Sequence, residues 1–94
     1  MPYSRKRSPT ARSDSKCIYV LKLVDGKIYV GASTETKNRI KSHFHGRGSE
    51  WTKIYRPKQI LEVIPYEPFK EDSLTKEYMK KYGIENVRGG QYCM

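Results

Sequence analysis

Two tyrosines, Tyr19 and Tyr29, stand ten residues apart in CIYVLKLVDGKIYVG (17–31), on either side of an Asp-Gly pair. If both project from one face of a hairpin, their hydroxyls converge and form half of an active site. On opposite faces they only pack, as tyrosine commonly does on a half-buried pleat. Arg39 and His43 follow four residues apart, so one face of a helix presents a guanidinium beside an imidazole. Further on come three acids, Glu71, Asp72 and Glu77, and then Asn86. Each of these has a plain structural explanation when taken alone. Arg39 is then a solvated charge, the acids complement a helix dipole, and Asn86 is a turn residue. His43 and His45 are not a metal pair, because positions i and i+2 of a helix point to different sides.

The elements that must position these groups can be read from pattern. Residues 17–24 and 27–32 are rich in Ile, Val, Leu and Tyr and are split by a turn signal, which predicts a hairpin. Its register has two solutions. A two-residue Asp25-Gly26 loop pairs Val24 with Lys27 and sends the tyrosines to opposite faces. A three-residue Val24-Asp25-Gly26 loop, with Gly26 left-handed in a bulge, pairs Leu23 with Lys27 and puts both on one face. TETKNRIKSHFHG predicts a helix with Thr34 as N-cap, Ile40 and Phe44 on its apolar side and Gly46 at its end. A short helix is expected around Trp51 to Tyr55, Trp51 serving as a core or lid aromatic, and a strand over 58–65. KEDSLTKEYMKKYG predicts a second amphipathic helix, capped by Asp72 or Ser73, with Leu74, Tyr78 and Tyr82 on its apolar side and Gly83 closing it. The order is ββαβα. The expected fold is α+β, a small antiparallel three-stranded sheet flanked by helices.

Composition bounds what such a fold does. Of 94 residues, 19 are Lys or Arg and 10 Asp or Glu, a net charge of +9 that suits a polyanionic partner, most commonly nucleic acid. Residues 1–16 hold five basic residues and one acid with two prolines, and read as a disordered basic arm ahead of a folded unit at 17–94. A hydrophobic content of 36% allows only a small core. No apolar run approaches the roughly 18 residues of a membrane span, and no signal-peptide stretch opens the chain. Cys17 and Cys93 are too few for a disulfide framework or a zinc site, so an intracellular setting is expected.

Taken together, CIY with Tyr19, YVG with Tyr29, then Arg39, His43, an acidic segment and Asn86 resemble the GIY-YIG nuclease domain across residues 17–90. Cys17 stands for the first glycine and Val30 for the isoleucine of the second triplet. The ending YGIENVRGGQYC is similar to small stand-alone members found in viruses. The resemblance implies hydrolysis of a DNA phosphodiester with one divalent metal, Mg²⁺ or Mn²⁺, held by a carboxylate. Arg39 would neutralise charge on the phosphate, while Tyr19, Tyr29 and His43 surround the attacking water. Either Tyr29 or His43 would take the water's proton, and Asn86 would hold the metal carboxylate or the backbone. Both hydroxyls must then reach one phosphate, which selects the three-residue loop and places the apolar core on the other face, through Ile18, Val20, Ile28 and Val30. Candidate phosphate contacts are Lys27, Lys37, Lys41, Arg47, Lys53 and Arg88.

The metal carboxylate is the least direct assignment. In the family it lies on the second helix, roughly a dozen residues before the asparagine, a register that falls here on Leu74 or Thr75. Glu71 is one turn before Thr75 and shares its face, Glu77 points about 200° away, and Asp72 is expected as the N-cap. Glu71 is therefore the expected ligand. Two other classes remain alongside a nuclease: a catalytically inactive nucleic-acid-binding module on the same scaffold, and an RNA-associated structural protein. With no second domain to read bases, such a nuclease is expected to be structure-selective, nonspecific or targeted by a protein partner or homodimer.

Overall fold

The computed structural model describes residues 16–89. The basic arm expected over 1–16 lies outside them except for Lys16, and so do residues 90–94, including Cys93. Strand β1 (Cys17–Leu23) and strand β2 (Ile28–Ser33) form the hairpin. Helix α1 (Thr36–Phe44) and a short α2 (Glu50–Ile54) follow, then strand β3 (Pro57–Pro65), helix α3 (Lys70–Tyr82), a 3-10 turn at Ile84–Asn86 and strand β4 (Val87–Gly89).

The hairpin adopts the three-residue loop. Leu21 pairs with Tyr29 and Tyr19 with Gly31, and the Leu23 amide donates to the Lys27 carbonyl at 2.8 Å. Tyr19 and Tyr29 therefore share a face. Gly26 is left-handed as expected (φ 72°), but so is Asp25 (φ 61°), a residue whose short polar side chain tolerates that conformation.

The sheet differs from the expected three antiparallel strands. It has four, in the order β3-β1-β2-β4, and β4 runs parallel to β2 through Ile28↔Val87, Tyr29↔Arg88 and Val30↔Gly89. A three-residue strand ending in glycine gives no periodic signal, so it is visible only once α3 has carried the chain back across the sheet. Two helix starts also move. The N-cap of α1 is Glu35 rather than Thr34, and the Ser33 hydroxyl accepts the Glu35 amide at 2.9 Å. Helix α3 begins at Lys70 after a left-handed Phe69, so Asp72 lies in its first turn and does not cap it.

Apolar packing covers both faces, where the sequence reading placed it on one. Ile18, Val20, Ile28 and Val30 pack against Leu74 of α3 and Val87 of β4. On the tyrosine face, Tyr19, Leu21 and Leu23 pack against Ile40 of α1 and Trp51 of α2. The tyrosines are thus part of a second core. Leu74, only 5% exposed, is the helix residue most committed to the first core. Leu74→Ala should destabilise the fold by about 2–5 kcal/mol, and Ile84→Ala, at a residue 65% exposed, by no more than about 0.5 kcal/mol. Urea unfolding of the two variants measures both.

Candidate active site

The register that puts Tyr19 opposite Gly31 also makes room for its hydroxyl. A methyl group at position 31 would fall 2.5 Å from the Tyr19 oxygen, so the last glycine of the second triplet is the slot into which the first tyrosine reaches. Tyr19 is buried, and its hydroxyl meets His43 Nε2 at 2.8 Å. Tyr29 is half-buried, with its ring centroid 5.0 Å from that of His43 and 6.3 Å from that of Tyr19. The three rings form one aromatic cluster between the sheet and α1.

His43 is fully buried, which its place in an amphipathic helix beside Phe44 did not reveal. Its Nδ1 lies 2.9 Å from the Thr52 hydroxyl and accepts the Ser49 amide at 3.4 Å. Gly48 lies against the same ring: a methyl group there would fall 1.8 Å from Nδ1. None of Gly48, Ser49 and Thr52 was expected from sequence. The available signal was Ser49 three residues before Thr52, because Ser49 is the N-cap of α2 and accepts the Thr52 amide.

Electrostatics ties two charged side chains to this cluster. Burial is the main cause that pushes the Tyr19 hydroxyl well above the usual phenol range, and Tyr29 adds to the rise. The Arg39 guanidinium opposes it by charge and hydrogen bonding, while the Glu71 carboxylate adds to it. Burial, with Arg39 beside it, lowers His43 from 6.5 to about 4, so the ring is neutral at physiological pH. Tyr29, Arg39, His43 and Glu71 therefore all bear on Tyr19, by ring contact, hydrogen bonding or charge. Of the three candidate acids, Glu71 has the largest effect on Tyr19. Glu77 lines a separate cleft with Glu62, Tyr78 and Lys81.

Asn86 stands apart from that group. Its Nδ2 donates to the Tyr82 carbonyl at 2.7 Å, capping the last turn of α3, and its Oδ1 accepts Lys27 Nζ at 2.7 Å. Glu71 is in the first turn, about 16 Å away along the helix axis at 1.5 Å per residue. Asn86 therefore holds backbone at the end of α3 and makes no contact with Glu71. Two candidate phosphate contacts are likewise committed inside the fold. Lys27 is held by Asn86 and lies over the Tyr55 ring, while Arg88 donates to the Ile84 and Val87 carbonyls and stacks on Trp51 at 4.6 Å. Lys37, Lys41, Arg47 and Lys53 are exposed. Lys41 and Arg47 share a cleft of about 480 Å³ with Asn38, Ser42 and His45, and Asn38 and Ser42 also line the neighbouring cleft that holds Arg39.

Residues 15–88 match the GIY-YIG catalytic domain. The chain belongs to the GIY-YIG family. Its two GIY-YIG triplets are Cys17-Ile18-Tyr19 and Tyr29-Val30-Gly31 on facing strands. The UPF0213 protein of Staphylococcus aureus (strain Mu3 / ATCC 700698) is 34% identical over 65 residues, covering 69% of this chain and 78% of the relative. The UPF0213 proteins of strains N315 and MW2 match to the same extent. No solved structure matches the chain. A GIY-YIG catalytic domain points to a nuclease-type hydrolase acting on DNA. No described helix is long and apolar enough to cross a membrane.

The depressed His43 pKa makes stability depend on pH. An unfolded chain takes up a proton at the ordinary pKa of 6.5, while the folded protein refuses it until about pH 4. The stability this provides is fully present above the unfolded pKa and is lost as pH falls through that window, amounting to about 3 kcal/mol. Wild type should therefore lose more stability than His43→Gln between pH 7 and pH 4 in urea unfolding. Parallel losses in the two proteins would contradict the burial argument.

Proposed function

We propose that the protein is a metal-dependent DNA endonuclease that hydrolyses phosphodiester bonds with one divalent cation, Mg²⁺ or Mn²⁺. The observation that supports this most is the buried Tyr19–His43 pair beside Tyr29, with the Arg39 guanidinium and the Glu71 carboxylate both acting on the Tyr19 hydroxyl. A phosphodiester under attack gains negative charge, and a guanidinium is a permanent, planar donor suited to it. Glu71 is the group that would hold the cation. Mg²⁺ keeps several waters and takes one or two carboxylates together with substrate phosphate, which a lone half-buried glutamate fits. The described residues hold no group of three or more His, Cys, Asp or Glu that could cage an ion, so the donor set is unlike a zinc site. When bound, the cation supplies Lewis-acid stabilisation of the scissile phosphate and its leaving oxygen.

The proton chemistry follows from burial. Both nitrogens of His43 are occupied inside the protein, so it reaches the reacting atoms only through Tyr19. Tyr29 is the half-buried member of the pair and the group to take the proton of the attacking water, as its phenolate. The resulting hydroxide attacks phosphorus in line, and the 3′ oxygen leaves on the opposite side. Tyr19 donates a hydrogen bond to the phosphate or to the water. The exposed Lys41 and Arg47, next to the Arg39 cleft, suit flanking phosphates.

Incubation of purified protein with plasmid and branched DNA, with and without Mg²⁺ or Mn²⁺, is the direct test. Cleavage that EDTA stops is the expected result. DNA binding with every topology intact under both metals would favour the inactive binding module. Arg39→Ala should slow cleavage by about 10²–10³ with little change in affinity, and single-turnover rates beside binding isotherms separate the two effects. Glu71→Gln keeps the size and removes the charge, so it should abolish metal-dependent cleavage, while Glu77→Gln leaves it near wild type. The reverse outcome would move the metal ligand to Glu77.

A further inference from the structure

The network behind His43 extends beyond what the reaction described above requires. Thr52 is fully buried on α2 and its hydroxyl is 2.9 Å from His43 Nδ1. The same hydroxyl can donate to the Ser49 carbonyl at 3.0 Å. Two hydrogen-bond patterns therefore fit the heavy atoms. In one, Tyr19 donates to Nε2, Nδ1–H donates to Thr52, and Thr52 donates to the Ser49 carbonyl. In the other, Nδ1 accepts, Nε2–H donates to Tyr19, and the Tyr19 proton is left for the site.

One group cannot change direction. The Ser49 amide is a donor only, and it points at Nδ1 from 3.4 Å. A proton on Nδ1 would face that N–H, so Nδ1 must accept and the neutral ring carries its proton on Nε2. Thr52 then turns its hydroxyl proton to Nδ1 as well. The Arg39 guanidinium also donates toward the Tyr19 oxygen. With Nε2–H donating to its oxygen and the guanidinium beside it, the Tyr19 hydroxyl turns its own proton away from both.

We infer that Thr52, together with the Ser49 amide, is a positioning residue that holds His43 in the Nε2–H tautomer and so aims the Tyr19 hydroxyl proton at the substrate phosphate. The role of Tyr19 toward a phosphate rests on the nuclease reading above; the tautomer does not. Gly48 belongs to the device as well, because any side chain there would displace the ring. Thr52 touches neither substrate nor metal, so its effect should appear in turnover rather than in binding.

The tautomer can be read directly in the full-length wild-type protein by ¹⁵N NMR of the imidazole at pH 7, well above the His43 pKa. A protonated Nε2 with an unprotonated Nδ1 is expected. A protonated Nδ1 would overturn the assignment, whether or not the protein cuts DNA. Loss of all cleavage with the Nε2–H signal present would instead count against the nuclease reading and leave the tautomer standing. Thr52→Val removes the hydroxyl at nearly constant volume and should lower kcat about tenfold with KM unchanged, together with an altered His43 ¹⁵N spectrum. Thr52→Ser should restore kcat to within about threefold, since the hydroxyl and not the methyl carries the effect. Wild-type kcat and an unchanged spectrum in folded Thr52→Val, or no recovery in Thr52→Ser, would show that Thr52 only packs.

Discussion

The buried hydrogen bond between Tyr19 and His43 is the constraint from which the site follows. A phenol and an imidazole removed from water must find partners in each other or leave polar atoms unsatisfied at a cost of about 1–3 kcal/mol each. That requirement fixes the distance between β1 and α1. It demands a glycine opposite Tyr19 and another against the His43 ring, at Gly31 and Gly48. It also requires α2 to present Thr52 to the far nitrogen. Once these are in place, Arg39, one turn before His43 on α1, is delivered to the same hydroxyl without further design.

The same bond explains why a protein of net charge +9 builds its site from neutral buried groups. Burial keeps both Tyr19 and His43 neutral, so neither brings an uncompensated charge into the core. The charged members, exposed Arg39 and half-buried Glu71, stay at the border, within reach of water. Charges of opposite sign acting on one buried phenol are what the proposed function uses, the guanidinium for an anion and the carboxylate for a cation. Electrostatic work is thus divided between an inner layer that orients protons and an outer layer that meets charged ligands.

How much of this was legible depends on how local the signal is. The hairpin register turns on one choice between two loops, and requiring two hydroxyls at one phosphate selects the one observed. Helix ends at Gly46 and Gly83 follow from local backbone preference, and both glycines have positive φ. Helix starts fared less well. Thr34, Asp72 and Ser73 are all good caps in isolation, but the chain enters α1 and α3 from tight turns at Ser33 and Phe69 that set the first residue instead. Strand β4 pairs with residues far away in sequence, the Thr52 contact spans a loop between two helices, and neither a three-residue strand nor one threonine has a periodicity to read. Glu71 was singled out by the family's carboxylate register together with helical geometry, one turn before Thr75, and the structure places it half-buried in the first turn of α3.

Asn86, Lys27 and Arg88 show how a basic surface is partly spent inside the fold. Strand β4 is three residues long and is the last described strand, on the outer side of β2, a place where so short a pairing frays easily. Arg88 offsets this by donating to two carbonyls next to β4 while stacking on Trp51, which in turn donates to the Ile28 carbonyl. Lys27 and Asn86 make a second tie from the hairpin loop to the end of α3. These links fix α2, and α2 carries Thr52 to His43. The cations nearest the sheet therefore stabilise the frame that orients Tyr19, while Lys37, Lys41, Arg47 and Lys53 keep their side chains in solvent, where the proposed contact with a polyanion needs them. Charge count alone would have credited all six with the same task; packing separates them.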